Sequence, residues 1–181
     1  ITFIDVAAMR ADEERSTRID KLHELVGDAD ALLLVVQAFG EMNHRGQPLE
    51  PDRELDELIS EIILTDLAIV EGRLERVERE HKAKRKGEVD PEWELLHKIK
   101  GVLDEGRWVR ELKFNEEESR LLRGYGLLTL RPAMVVFNCG EEDRGRERCA
   151  EAVSRARERG LPAYMLCAAL ELEIAQLDEE E

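Results

Sequence analysis

Apolar positions follow two rhythms along this chain, short uninterrupted runs in its outer parts and a three-and-four spacing through its middle. The runs Ile1 to Asp5, Ala31 to Val36, Ala133 to Phe137 and Ala163 to Cys167 predict four strands. Runs without polar alternation suit strands covered on both faces, as in a parallel sheet. Helical patterns lie between them, at Thr17 to Val26 before Gly27, and at Asp143 to Arg159 before Gly160 and Pro162. A last helix, Glu171 to Leu177, runs into the acidic tail Asp178 to Glu181. The simplest topology is a parallel α/β sheet with right-handed crossovers.

From Pro51 to about Gly126 the rhythm changes. Leu55, Ile59, Ile62, Ile63, Ile69, Val70, Leu74 and Val77 recur at helical spacing, with Glu71, Glu75, Arg76, Glu78 and Arg79 on the other faces. Lys86 to Pro91 predicts a turn in which Asp90 caps the next helix and Pro91 takes its first position. That helix carries Trp93, Leu96, Ile99, Val102 and Leu103 on one side and closes at Gly106. Two amphipathic helices joined by a turn bury their stripes against each other, which predicts an antiparallel coiled-coil hairpin. A short helix, Glu116 to Arg123, leads back to the sheet. The expected organisation is a partial α/β domain over 1–50, an inserted helical hairpin over 51–126, and the rest of the α/β domain over 127–181.

Composition narrows what this architecture does. With 42 acidic and 27 basic residues the net charge is −15, which argues against wrapping a nucleic-acid backbone with the whole surface. Basic contacts must be local, and one segment qualifies: Lys82, Lys84, Arg85 and Lys86 place four cations in five positions at the expected tip of the hairpin. They either complement the dipole at a helix C-terminus or contact phosphates, for example on ribosomal RNA. Cys139, Cys149 and Cys167 show no zinc spacing and read as reduced thiols of a cytoplasmic protein, with Cys149 a small core residue. Apolar stretches such as Ala31 to Phe39 are too short to span a bilayer, so no membrane partner is expected. His23, His44, His81 and His97 lack metal or triad spacing, and Trp93 and Trp108 read as packing residues. Opening directly on a strand pattern, the chain is expected to start within a domain.

The candidate chemistry lies in Pro132-Ala-Met-Val-Val-Phe-Asn138-Cys-Gly-Glu141. An apolar strand there delivers an amide and, three residues later, a carboxylate to the edge where open α/β sheets bind ligands. A turn-forming Asn after a strand is the plainer reading.

Together, the strand-Asp5-x-Ala7 opening, Ala31-Leu-Leu-Leu-Val-Val-Gln-Ala-Phe39, Glu57-Leu-Ile-Ser-Glu-Ile-Ile-Leu-Thr-Asp-Leu67, Leu127-Leu-Thr-Leu-Arg-Pro132 and Asn138-x-x-Glu141 resemble the central part of the YchF family of Obg-like ATPases. The resemblance implies a P-loop-NTPase-like sheet with an inserted helical hairpin, nucleotide binding and association with ribosomes. It implies that Asn138 and Glu141, with the Cys167-Ala168 loop, contact the base, and that Asp5 helps hold Mg²⁺. Asn-x-x-Glu stands where GTPases carry Asn-Lys-x-Asp. Loss of the Asp that accepts from guanine's N–H edge favours adenine or removes guanine selectivity.

This chain also departs from the family pattern. It holds no Gly-x-x-x-x-Gly-Lys-Ser/Thr phosphate loop, so ATP or GTP with Mg²⁺ is expected only where such a loop lies upstream. The switch glycine is Ala8, whose Cβ restricts the backbone where it approaches the γ-phosphate, so hydrolysis is expected to be impaired. Ala169 stands where the family commonly carries Lys. Two function classes follow: an adenine-nucleotide-binding ATPase associated with translation, or a catalytically dead relative that acts as a binding module through its hairpin.

Overall fold

The structure, a computed structural model, describes residues 1–6, 22–43, 45–83, 90–141 and 143–177. Within 31–59 and 133–181, which make one unit, β1 (Leu32–Ala38), β2 (Ala133–Cys139) and β3 (Ala163–Leu166) form a parallel sheet in the order β1-β2-β3. All three strands fall within two residues of their predicted bounds, because β-branched and aliphatic runs ended by turn residues leave little choice. Leu34, Val36, Ala38, Val135, Phe137, Cys139 and Ala163 are buried, and the helix 143–158 packs against all three strands with Cys149, Ala152, Val153 and Ala156 buried. Of the alternate positions, Leu33, Val35, Met134 and Tyr164 are exposed, while Val136 on the central strand is buried. Cover of the second face is therefore partial among the described residues, since an all-apolar run marks surface that avoids water without naming what covers it.

The segment after β1 turns back through an Asn43-centred loop. The Asn43 side chain accepts from the amides of Arg45 and Gln47 and donates to Glu54 at 2.6 Å. A long helix, α1 (Pro51–Ala83), begins there; its first turns pair with the helix α4 (Asp143–Glu158) through Asp52 with Arg155 and Asp56 with Arg159.

The other unit comprises 1–30 and 60–132. It holds the remainder of α1, α2 (Pro91–Asp104), α3 (Glu116–Leu122) and two 3₁₀ turns, Val109–Glu111 and Leu128–Leu130. Asp90 caps α2 as expected, accepting from the Glu92 amide with Pro91 at the helix start, and Gly106 follows the helix at φ 71°. Val70, Leu74 and Val77 of α1 and Leu95, Leu96, Ile99 and Leu103 of α2 are buried. Arg73 bonds both carboxylate oxygens of Glu92, at 2.7 and 2.9 Å, and Lys100 reaches Glu71 at 2.7 Å, so ion pairs join α1 to α2. Asn115 opens α3 through a capping box with Glu118.

Two polar groups order this unit. Asp66 of α1 is fully buried and accepts from the Leu128 amide at 2.8 Å and from the Thr129 amide at 2.7 Å, with the Thr129 hydroxyl as a third donor. Burial raises its pKa, and the three donors oppose that rise. Tyr125 donates to Glu92, which carries the Arg73 pair as well. Burial and the bond to Glu92 push the Tyr125 phenol up to about 12, while Arg73 holds the Glu92 carboxyl below its ordinary range.

The opening segment differs from expectation. Residues 1–6 form no strand, and Ile1 and Phe3 are exposed. A five-residue run holds strand geometry only when a neighbour pairs its amides, and the described residues supply none. Of the helix expected over 17–26, residues 22–26 are helical; its earlier part lies outside the described residues, as does the turn at 84–89. The last helix, α5 (Ala168–Ala175), starts three residues earlier than its periodicity indicates, directly after β3.

Replacing Asp66 with Ala leaves two buried amides without acceptors, at about 1–3 kcal/mol each. Urea unfolding is expected to show a loss of roughly 2–5 kcal/mol; a loss under about 0.5 kcal/mol would mean those amides find other acceptors. Because the folded-state pKa of Glu92 is depressed, its contribution is present above the ordinary value of 4.5 and disappears as pH falls through the folded value. Melting curves of wild type and Glu92→Gln are therefore expected to differ most at neutral pH and to converge in acid. A constant gap would remove Glu92 from the acid response.

Candidate functional site

The parallel register aligns Gln37, Asn138 and Leu166 across the C-terminal edge of the sheet. Each strand then releases a loop on the same side, so three loops converge there. Gln37 shapes the first: its side-chain amide donates to the carbonyls of Phe39 and Met42, both at 3.1 Å, and Gly40 takes φ 79° in the turn. Only glycine adopts that backbone angle freely.

Asn138 joins the second loop to the third. Its Oδ1 accepts from the amide of Ala168, the first residue of α5, at 2.9 Å. Cys167 sits at the N-cap and makes no side-chain cap bond, so Asn138 supplies from β2 the acceptor that a helix start otherwise takes from its own cap. The Nδ2 of the same amide has no partner among the described residues.

A cavity of about 570 Å³ opens at this edge, lined by Phe39, Gly40, Glu41, Asn138, Cys139, Gly140, Glu141, Arg148, Cys167 and Ala169. Its size falls in the range of small-molecule sites, roughly 300–1,000 Å³. Glu41 and Glu141 are exposed and make no ion pair among the described residues. Arg148, from α4, donates to the Gly40 carbonyl at 3.2 Å. The lining thus holds two carboxylates, one guanidinium, an amide donor and the Phe39 ring, enough to engage a planar heterocycle by its edge and its face. Behind it, burial pushes the Cys149 thiol up to about 12, with the Cys139 thiol adding to the rise, and Cys149 is fully buried as its helical position indicates.

Among the residues singled out by sequence, Asn138, Glu141 and Cys167 lie on one cavity wall and Ala168 supplies the amide that Asn138 holds. Asp5 is exposed in the irregular opening segment of the other unit. Among the described residues no cluster of three or more His, Cys, Asp or Glu side chains forms a metal site. The Lys82 side chain and all of Lys84, Arg85 and Lys86 lie outside the described residues, as do Ala8, His44 and the His81 side chain. His23 bonds the Tyr125 carbonyl and His97 the Trp93 carbonyl, so both serve local structure. Phe39, Glu41 and Arg148 were missed by sequence reasoning. The available signal was the end of β1, which a parallel β1-β2 pair must set beside Asn138.

No family model matches the chain. It is similar to the ribosome-binding ATPase YchF of Bacillus subtilis strain 168, with 30% identity over 186 residues, covering 99% of this chain and 50% of that protein. The ribosome-binding ATPase YchF of Haemophilus ducreyi is 28% identical over 185 residues with the same coverage. Obg-like ATPase 1 of Oryza sativa subsp. indica is 27% identical over 121 residues, 66% of this chain and 31% of that protein. The chain spans about half the length of the YchF relatives it matches. Among solved structures, the YchF GTPase of Schizosaccharomyces pombe superposes with a TM-score of 0.68 at 20% identity, over 88% of this chain and 45% of that one, which establishes the fold.

Proposed function

From a chain that resembles the central part of the YchF family along nearly all its length, we propose that the cavity at the C-terminal edge of the sheet is the base pocket of a purine-nucleotide site. Residues 1–50 and 127–181 then form the nucleotide-binding α/β part and 51–126 the inserted helical element. One observation carries this reading. Asn138 spends its carbonyl oxygen on the Ala168 amide and keeps its Nδ2 unpartnered at a cavity of ligand size, the arrangement of a fixed donor awaiting an acceptor. A purine ring nitrogen is such an acceptor.

Adenine is favoured over guanine. Glu141, three residues after Asn138, stands where Asn-Lys-x-Asp proteins carry their guanine-pairing Asp, and its longer side chain moves the carboxylate away from the place that meets the N–H edge of guanine. Cys167 and Ala168 present backbone to the base. Asp5 is proposed as the carboxylate that meets hydrated Mg²⁺ on the phosphates, a hard cation that prefers oxygen. With Ala8 at the switch position, hydrolysis to the nucleoside diphosphate is slow, because the added Cβ restricts the backbone beside the γ-phosphate. Place of action is the cytoplasm, at ribosomes, through Lys82, Lys84, Arg85 and Lys86. Their local charge meets ribosomal RNA phosphates while the chain as a whole stays at −15.

Calorimetry on the full-length protein is expected to give tighter binding of ATP and ADP than of GTP, by about tenfold or more, and Asn138→Ala is expected to weaken ATP by roughly tenfold. Absence of heat with every nucleotide, or equal affinity for ATP and GTP, would overturn the base assignment or its selectivity respectively. Co-sedimentation with ribosomes is expected to fall as salt rises and to fall further when Lys82, Lys84, Arg85 and Lys86 are all changed to Ala. Unchanged sedimentation of that variant would move the contact elsewhere.

A further inference from the structure

The base pocket has one wall that does not come from the strand carrying Asn138. Phe39, Gly40 and Glu41 leave the end of β1 through a turn at φ 79°, and Phe39 and Glu41 are both exposed. An exposed turn keeps a fixed distance from the opposite wall only if something ties it down. Gln37 acts from behind, on the Phe39 and Met42 carbonyls. From the cavity side the tie is Arg148, whose guanidinium crosses from α4 to the Gly40 carbonyl while itself lining the cavity. Its backbone is rigidly placed, since the next residue, Cys149, is fully buried where α4 packs against the sheet. A planar guanidinium donates in fixed directions and bonds more strongly than a neutral donor.

We propose that Arg148 is a positioning residue of this pocket. It clasps the β1 turn to α4 and sets the gap between the Phe39-Gly40-Glu41 wall and the Asn138-Glu141 wall to the thickness of a planar base. This inference rests on the base-pocket reading above. It assigns to a residue outside the Asn-x-x-Glu motif the width of the slot, and hence the affinity for the base rather than for the phosphates.

Full-length wild type, Arg148→Ala and Arg148→Lys are to be compared by calorimetry with ATP and with tripolyphosphate, each with Mg²⁺, alongside melting curves. Arg148→Ala is expected to weaken ATP roughly tenfold while tripolyphosphate affinity and melting temperature stay near wild type. Arg148→Lys, which keeps a charged donor, is expected to recover most of that loss. ATP affinity unchanged in Arg148→Ala overturns the proposal, and so does an equal loss for ATP and tripolyphosphate or a collapse in melting temperature. The underlying reading fails separately, if wild type binds ATP no better than tripolyphosphate.

Discussion

The parallel ladder of β2 is the constraint on which the sheet unit depends. As the central strand it pairs on both edges, with β1 along its full length and with β3 from Val135 to Asn138. Val135, Phe137 and Cys139 share the face toward α4, so a slip of one residue would turn all three out of that core. Full burial of such a Val or Phe contributes about 1.5–3 kcal/mol, which makes the register costly to change. That same register sets Asn138 beside Gln37 and Leu166 and brings the three strand-end loops together. Function at this edge is thus inherited from core packing some residues away.

In the helical unit a buried charge takes the equivalent place. Asp66 loses its hydration entirely, and the two amides and the hydroxyl at Leu128 and Thr129 offset that cost. Because the donors belong to a 3₁₀ turn 62 residues further along the chain, the contact fixes the segment leading into β2 against α1. The Arg73-Glu92-Tyr125 cluster also links distant segments, but it keeps access to water and tolerates titration more easily. The two devices differ in kind: Asp66 orders by the penalty for leaving donors unmet, Glu92 by attraction.

What the sequence made legible follows from how local each signal is. The three strands, the Asp90 cap with Pro91, and the buried stripe of α2 rest on patterns within a few residues. Asn138, Glu141 and Cys167 could be placed at one edge because a parallel sheet puts all its strand ends together. Asp66 was not legible, since a single acid within a charged helix looks like any solvated position until Thr129 is known to lie against it. Residues 1–6 failed in the opposite sense, with strand-like composition and no partner in the described residues. Phe39, Glu41 and Arg148 became visible only when β1 and α4 were set beside β2.

The acidic balance of the chain gains meaning at this edge. Two carboxylates, Glu41 and Glu141, stand at the cavity without ion-pair partners among the described residues, where a triphosphate would meet repulsion. A nucleotide entering the proposed pocket therefore puts its base inward and its phosphates away from this rim. Asn138 then offers a neutral donor that is unpartnered among the described residues, and Arg148 donates to the Gly40 carbonyl. Such a pocket selects by the pattern of donors and acceptors on a heterocycle and leaves phosphate affinity to other parts of the protein. Base recognition and phosphate grip are then separable properties of the proposed site.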